Sequence, residues 1–236
     1  MLTKSDLNNY LASSNLINEI SKISHEEVVD FLGNDVAKMY KFEQKNPHHC
    51  YDLFEHTMHT VDGINKSDLN ESTKEELRIA ALFHDVGKPL VAFMKGETQH
   101  FYGHALKSAE IAYPILLELG YTEAESKRLC FFIKHHDDFI GFRPEDEFKG
   151  EPTPYNQPTN AKTVKALIES KIDEAKELDE YIPTIEDYSI LMHLCYADAS
   201  AQSEITMQNG EVVDSRQRKV DRLKKVADCI NYLNNN

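Results

Sequence analysis

The chain has 236 residues, 41% of them hydrophobic, and a formal net charge of −14. That length and apolar content suit one substantial core, and the acidic balance argues against a protein that grips a nucleic-acid backbone with clustered Lys and Arg. No apolar run reaches the roughly 18 residues of a membrane span, and Met1 to Asp6 lack a signal-peptide stretch, so a cytoplasmic protein without a membrane partner is expected.

In chain order, residues 1–49 read as a helical N-terminal extension, residues 50–200 as the main domain, and residues 201–236 as a C-terminal helix packed on it. Four helix starts are marked by a hydroxyl residue with an acidic residue three later, a pairing that satisfies orphan amides: Ser24 with Glu27, Ser72 with Glu75, Thr122 with Glu125, and Thr184 with Asp187. Apolar residues recurring at i, i+3, i+4 and i+7 mark the buried face of a helix, so a polar residue continuing such a series faces the core.

Around residues 53–64 the stripe is Leu53, Thr57, Thr60, Val61 and Ile64; His56 borders it, whereas His59 sits with Glu55 and Asp62. From Ser72 the series Leu77, Ala80, Ala81 runs into His84, with Asp85 one step round the cylinder. Val91 to Tyr102 is the one strand-like stretch, a short β-hairpin turned at Lys95-Gly96-Glu97. His104 opens a series through Ser108, Ile111 and Ile115. After Thr122, Leu129, Phe132 and Ile133 lead to His136, and the adjacent His135 points about 100° away.

Residues 138–160 hold Pro144, Gly150, Pro152, Pro154 and Pro158 and read as a loop, followed by a helix from about Asn160. The insertion over 138–182 is a candidate lid that sets substrate choice, since it directly follows His136-Asp137. Leu191, Leu194 and Cys195 then lead to Asp198, and a last amphipathic helix from Val213 carries Val220, Leu223, Val226, Ala227 and Ile230 on one face and a solvated face of Lys and Arg, with a fraying end. The fold class is therefore all-α. Cys50, Cys130, Cys195 and Cys229 form no C-x-x-C pair and are expected to be reduced thiols.

A lone histidine on an apolar helix face is more often a hydrogen-bonded core residue than a ligand, but five inward-facing sites point to a shared centre. Burying Asp85 and Asp198 unpaired would cost several kcal/mol each, and no Lys or Arg lies on their stripes, so a divalent cation is the expected counter-charge.

The motif text is specific: His56-Thr57-Met58, His84-Asp85-Val86-Gly87-Lys88-Pro89, His100-Phe101-Tyr102-Gly103-His104 with Ser108-Ala109-Glu110, His136-Asp137, and Ala197-Asp198. This ordered set resembles the HD superfamily of metal-dependent phosphohydrolases, most of all the HD domain of bacterial CCA-adding enzymes, over about residues 50–200. The resemblance implies that His56, His84, Asp85 and Asp198 hold one metal and that His104 and His136 hold a second, with Asp85 bridging. The ion, one or two of Mn, Fe, Ni, Co, Mg or Zn, stays open; mixed imidazole and carboxylate ligands tolerate Mg poorly where histidines dominate.

Lys88 follows the dyad by three residues, just after Gly87 lets the helix end, so its ammonium is placed to reach a phosphate. His100, His135, Arg128 and Arg143 are further candidates for phosphate contact or proton transfer. The function so implied is hydrolysis of a small phosphoester, a nucleotide or other phosphorylated metabolite, by metal-activated water. Alternatives are a 2′,3′-cyclic phosphodiesterase, an HD-type diiron oxygenase, which would show optical and paramagnetic iron signals, and a non-catalytic nucleotide-sensing module. The first fifty residues carry no G-S followed by paired carboxylates, so the nucleotidyl-transfer half of the CCA-adding enzymes is not expected here. Oligomeric state is left open by the sequence.

Overall fold

The computed structural model describes residues 3–153, 155–203, 205–208 and 211–236, with backbone alone at 205–208 and 211–213; Met1, Leu2 and Pro154 lie outside the described residues. Four short helices open the chain, α1 (Lys4–Leu11), α2 (Leu16–Ile20), α3 (His25–Leu32) and α4 (Asn34–Ala37). The site is then built on α5 (Leu53–Asn65), α6 (Glu71–Phe83), α7 (Lys88–Val91), α8 (His104–Glu118), α9 (Glu123–His135), α10 (Ala161–Glu177), α11 (Ile185–Ser200) and α12 (Ser215–Asn234). The strands come in pairs: β1 (Phe93–Lys95) with β2 (Thr98–His100), β3 (Phe142–Arg143) with β4 (Gln157–Pro158), and β5 (Ile205–Gln208) with β6 (Glu211–Asp214). The protein is all-α in class, and no described helix is long and apolar enough to cross a membrane.

Helix α5 packs against both α6 and α11, α6 against α9, α9 against α8, and α11 against α12. Their inward faces form one core, to which Leu7, Leu11, Leu16 and Val28 of the N-terminal helices also belong. Helices α1 to α3 thus contribute side chains to the same core. Helices α5 and α11 cross closely at Gly63, where an added Cβ would come within 3.0 Å of the Ala197 Cβ. That crossing brings His56 and Asp198, one from each helix, to the same end of the core.

Three of the four expected caps are present as full capping boxes, at Ser24, Thr122 and Thr184. The fourth is displaced: Asn70 caps α6, its Oδ1 accepting from Thr73 N at 3.0 Å, and Ser72 lies inside the first turn. Asparagine is among the strongest N-cap residues, and its position two residues earlier wins. The hairpin forms as anticipated, with Gly96 at φ 64 supplying the positive-φ turn position.

The stretch after His136 is not a plain loop. Strands β3 and β4 pair in parallel, and α10 starts at an Asn160 cap, whose Oδ1 accepts from Thr163 N at 3.0 Å. Helix α12 begins at Ser215 and not at Val213, which lies in β6, and it ends at Asn234.

Candidate metal centre

Four helix ends converge at the base of a cleft of about 870 Å³. His84 follows the last residue of α6 and His136 the last residue of α9, while His104 is the first residue of α8. His56 sits within α5 and Asp198 near the end of α11. His56, His84 and Asp85 are at most 1% exposed, and His136 and Asp198 are also buried.

All four imidazoles are turned the same way. Nδ1 faces a backbone carbonyl in each: Ala201 O at 3.1 Å from His56, Ala81 O at 2.7 Å from His84, Phe101 O at 2.9 Å from His104, and Ile133 O at 2.7 Å from His136. A carbonyl only accepts, so each Nδ1 carries a proton and Nε2 of each ring is the nitrogen aimed at the centre, a ligand atom once it is free of a proton. His104 Nε2 and His136 Nε2 lie 3.3 Å apart. Two lone pairs facing each other at that distance repel unless a proton or a cation lies between them.

Asp85 joins two halves of the cluster. Its Oδ2 is 3.1 Å from His84 Nε2 and 3.5 Å from His56 Nε2, while its Oδ1 is 3.1 Å from His104 Nε2 and 3.8 Å from His136 Nε2. Asp198 Oδ1 is 3.1 Å from His56 Nε2. Among the described residues, His56 Nε2, His84 Nε2 and both Asp85 oxygens are buried without a well-formed hydrogen bond. The groups His56–His84–Asp198, His84–Asp85–His136 and His104–His136–Asp137 each bring their donor atoms within 4.8 Å of one another. Buried, mutually facing imidazole nitrogens and carboxylate oxygens fit a divalent cation, and the donor types favour a transition metal over Mg.

One expectation is corrected here. The two buried carboxylates do not lack basic partners: Lys88 Nζ is 2.7 Å from Asp85 Oδ2, and Lys219 Nζ is 3.0 Å from Asp198 Oδ2. Lys219 comes from α12, whose basic residues read as a solvated face. Burial pushes the two carboxyls up, but His84 and Lys88 around Asp85, and Lys219 and His56 around Asp198, hold both well below the usual carboxylate range. Burial likewise opposes protonation of His56, yet Asp198 and Asp85 outweigh it and raise the ring to about 9.

Lys88 is buried, and its Nζ also donates to Gln44 Oε1 at 3.2 Å. Gly87 has right-handed φ −80 and ψ −18 and α6 has already ended at Phe83, so this glycine is not the helix stop that the sequence suggests. It is required by closeness: an added Cβ would meet His104 O and Ser108 N, both at 2.7 Å.

The remaining candidates separate. His100 lines the cleft. His135 lies behind it, its Nδ1 2.7 Å from Asp138 Oδ2 and its ring against Phe131. Arg143 donates to the Ile140 and Phe142 carbonyls and does not line the cleft. Arg128 is away from it as well, bound to Glu76, to Asp187 Oδ1 at 2.8 Å and to Tyr181 Oη at 3.3 Å. Arg128 therefore ties α9 to α6 and α11; Arg128→Ala is expected to lower stability by roughly 1–3 kcal/mol, by stranding half-paired carboxylates, with metal binding unchanged. Denaturant unfolding and metal analysis of that variant check both parts.

Three residues of the site escaped the helical test. Asp137 Oδ2 is 3.3 Å from His104 Nε2, yet the residue lies beyond the end of α9, where helical phase no longer applies. Its signal was present as a second His-Asp pair, His136-Asp137. Gln44 and His49 stand in non-helical chain before residue 50, so a boundary drawn there passes through the site. His49 lines the cleft with its ring edge-on to His56 at 5.6 Å, and burial, with Lys88 and His56 adding to it, lowers its pKa to about 2.

Metal uptake should displace the His56 proton. In the metal-free protein this raised pKa gives a stabilising contribution that is full below about 6.5 and lost as pH rises through about 9. Metal affinity is therefore expected to climb between pH 7 and 9, with protons released on binding at pH 7. Calorimetry in buffers of different ionisation enthalpy measures this, and pH-independent affinity over that window would contradict it.

A family model described as the HD domain matches residues 48–180. A curated relative, the CC-adding tRNA nucleotidyltransferase of Thermus thermophilus, is 34% identical over 106 residues, which cover 44% of this chain and 24% of that protein. The chain thus matches about a quarter of the relative's length.

Proposed function

The chain belongs to the HD domain family, and on that premise we propose that it hydrolyses a small phosphoester, a nucleotide or another small phosphorylated metabolite, using water activated at the His–Asp centre. The observation that carries this reading is the common orientation of four imidazoles, each with Nδ1 on a carbonyl and Nε2 toward Asp85, at the base of a cleft. His56, His84, Asp85 and Asp198 would hold one ion, and His104, His136 and Asp137, with Asp85 shared, would hold a second. Such an ion lowers the pKa of bound water toward neutrality and offsets charge on phosphoryl oxygens.

The chain's own groups complete the chemistry. The backbone carbonyls fix the imidazole tautomers, so no rearrangement is needed before ligation. Lys88, held by Asp85 and Gln44, keeps an ammonium beside the centre to bind a phosphoryl oxygen, and Lys219 does the same next to Asp198. These local cations allow a phosphate to bind inside a chain of net charge −14. One wall of the cleft comes from the 138–182 insertion through Gln157, Thr163, Leu167 and Lys171, which supports the reading that this segment sets substrate choice.

The relative's tRNA chemistry is not carried over, because the match covers 24% of that protein. The test is a screen of phosphomonoesters, 2′,3′-cyclic nucleotides and nucleoside triphosphates against protein loaded in turn with Mn, Fe, Ni, Co, Mg and Zn. Metal-dependent release of phosphate or opening of the cyclic ester is expected. Absence of hydrolysis across all metals and substrates would refute the proposal, and activity on monoesters alone would remove the cyclic diester.

A further inference from the structure

The mouth of the cleft carries aromatic rings that the phosphoester chemistry does not use. Tyr102 is 63% exposed and Phe93 is 42% exposed. Phe93 stacks on His100 with ring centres 5.6 Å apart and planes 26° apart, and Tyr102 lies 5.4 Å from Phe93 and 5.3 Å from His100. His100 and Tyr102 line the cleft, while Phe93 backs them. Tyr155, Ile140 and Leu167 line the same space.

This cluster is held in place. The hairpin of β1 and β2 is pinned to the preceding segment by Gln99 N donating to Lys45 O at 2.8 Å and by Lys45 N donating to Gln99 Oε1 at 2.9 Å. Only Gly103 separates Tyr102 from His104, so about 7 Å at most lies between their Cα atoms. A ring seated on the cluster is therefore a short step from the His–Asp centre. Clustered aromatic side chains exposed at the rim of a pocket mark a ligand surface, and aromatic faces accept nucleobases irrespective of base identity.

We propose that Phe93, His100 and Tyr102 form a stacking platform for the planar heterocycle of a nucleoside phosphate whose phosphate lies at the His–Asp centre. The assignment of the phosphate rests on the phosphoester reading; the platform itself does not. The acidic chain disfavours a long polynucleotide, and a cleft of about 870 Å³ suits a single nucleotide. Because stacking tolerates every base, a graded preference with ring size is expected, without sharp base selection.

The platform is tested first without turnover. Saturation-transfer NMR on the full chain, metal-free, should show contact with the ring protons of adenosine and none with ribose. Tyr102→Ala should abolish the adenosine contact, and Tyr102→Phe, which keeps the ring, should retain it. Failure of adenosine to bind, or binding unchanged in Tyr102→Ala, would overturn the platform. In the metal-loaded enzyme, Tyr102→Ala should raise KM for a nucleoside monophosphate about tenfold with kcat held, and leave glycerol phosphate hydrolysis unaltered. An equal loss on both substrates would mark Tyr102 as structural and also overturn it. If neither phosphate is hydrolysed while adenosine binding still depends on Tyr102, the phosphoester reading falls and the platform stands.

Discussion

Asp85→Ala is expected to abolish divalent-ion binding and phosphoester hydrolysis together, with a loss of at least about a thousandfold in kcat/KM, roughly 4 kcal/mol of transition-state stabilisation. The reason is its position as the shared carboxylate: one oxygen faces His56 and His84 and the other faces His104 and His136, so both donor sets lose an anionic member at once. No other carboxylate among the described residues reaches both halves. The substitution also strands Lys88, whose ammonium is 2.7 Å from the missing group. Removing one partner of a buried pair costs about 3–5 kcal/mol, so a fall in stability is expected alongside the loss of activity. Asp85→Asn separates the two effects, because it keeps the shape and an acceptor oxygen while removing the charge. Far-UV circular dichroism should remain that of a helical protein for Asp85→Asn, with metal content and turnover both lost. Parent-like turnover in a folded Asp85 variant would sink the phosphohydrolase reading.

Gly87→Ala should be strongly damaging for a change of one methyl group. Its Cβ would sit 2.7 Å from His104 O and Ser108 N and 3.0 Å from Lys107 C, all backbone atoms of the first turns of α8. A flexible side chain could swing aside; a helix backbone must shift as a unit. Overpacking of this kind costs about 3 kcal/mol or more, and here the shift carries His104 away from Asp85 and His136. The hydrogen bond from Gly87 N to Ser108 Oγ, 2.9 Å long, is strained by the same movement. Reduced denaturant midpoint and weaker binding of the second ion are the expected results. Gly103→Ala is the control: it has φ 79 but nothing within 4 Å of an added Cβ, so backbone strain alone is at stake. Equal stability of Gly87→Ala and the parent would show that the close approach of α7 and α8 is not a constraint.

Helical phase made most of the cluster legible, because His84, His104, His136 and Asp198 continue apolar stripes, and His56 borders one, that the structure directs to one point. Phase discriminates only within a helix. His59, on the less buried side of α5, stacks on Tyr51 with ring centres 4.2 Å apart, while His56 is buried against the centre. Asp137, past the end of α9, has no phase to read, and Gln44 and His49 lie in chain with no period at all. Lys219 was hidden for another reason: on α12 it is one of several basic residues, and only the tertiary packing of α12 on α11 shows which of them meets Asp198. Arg128 illustrates the converse error. Arg128 was a candidate for phosphate contact or proton transfer, yet Glu76, Asp187 and Tyr181 claim its guanidinium. The two-residue strands β3 and β4 carry too little pattern for period-two reading, and the four prolines and Gly150 of residues 138–160 favour a loop assignment.

The most direct test of the whole account is activity against metal content. Protein stripped with a chelator is titrated with Mn while ion binding and hydrolysis of a nucleoside phosphate are followed in the same samples. Hydrolysis should be absent from the stripped protein and rise in step with occupancy, and the Asp85→Asn variant should show neither. Hydrolysis that survives complete stripping, or that is indifferent to the bound ion, would contradict the assignment of the His–Asp cluster as the reactive centre.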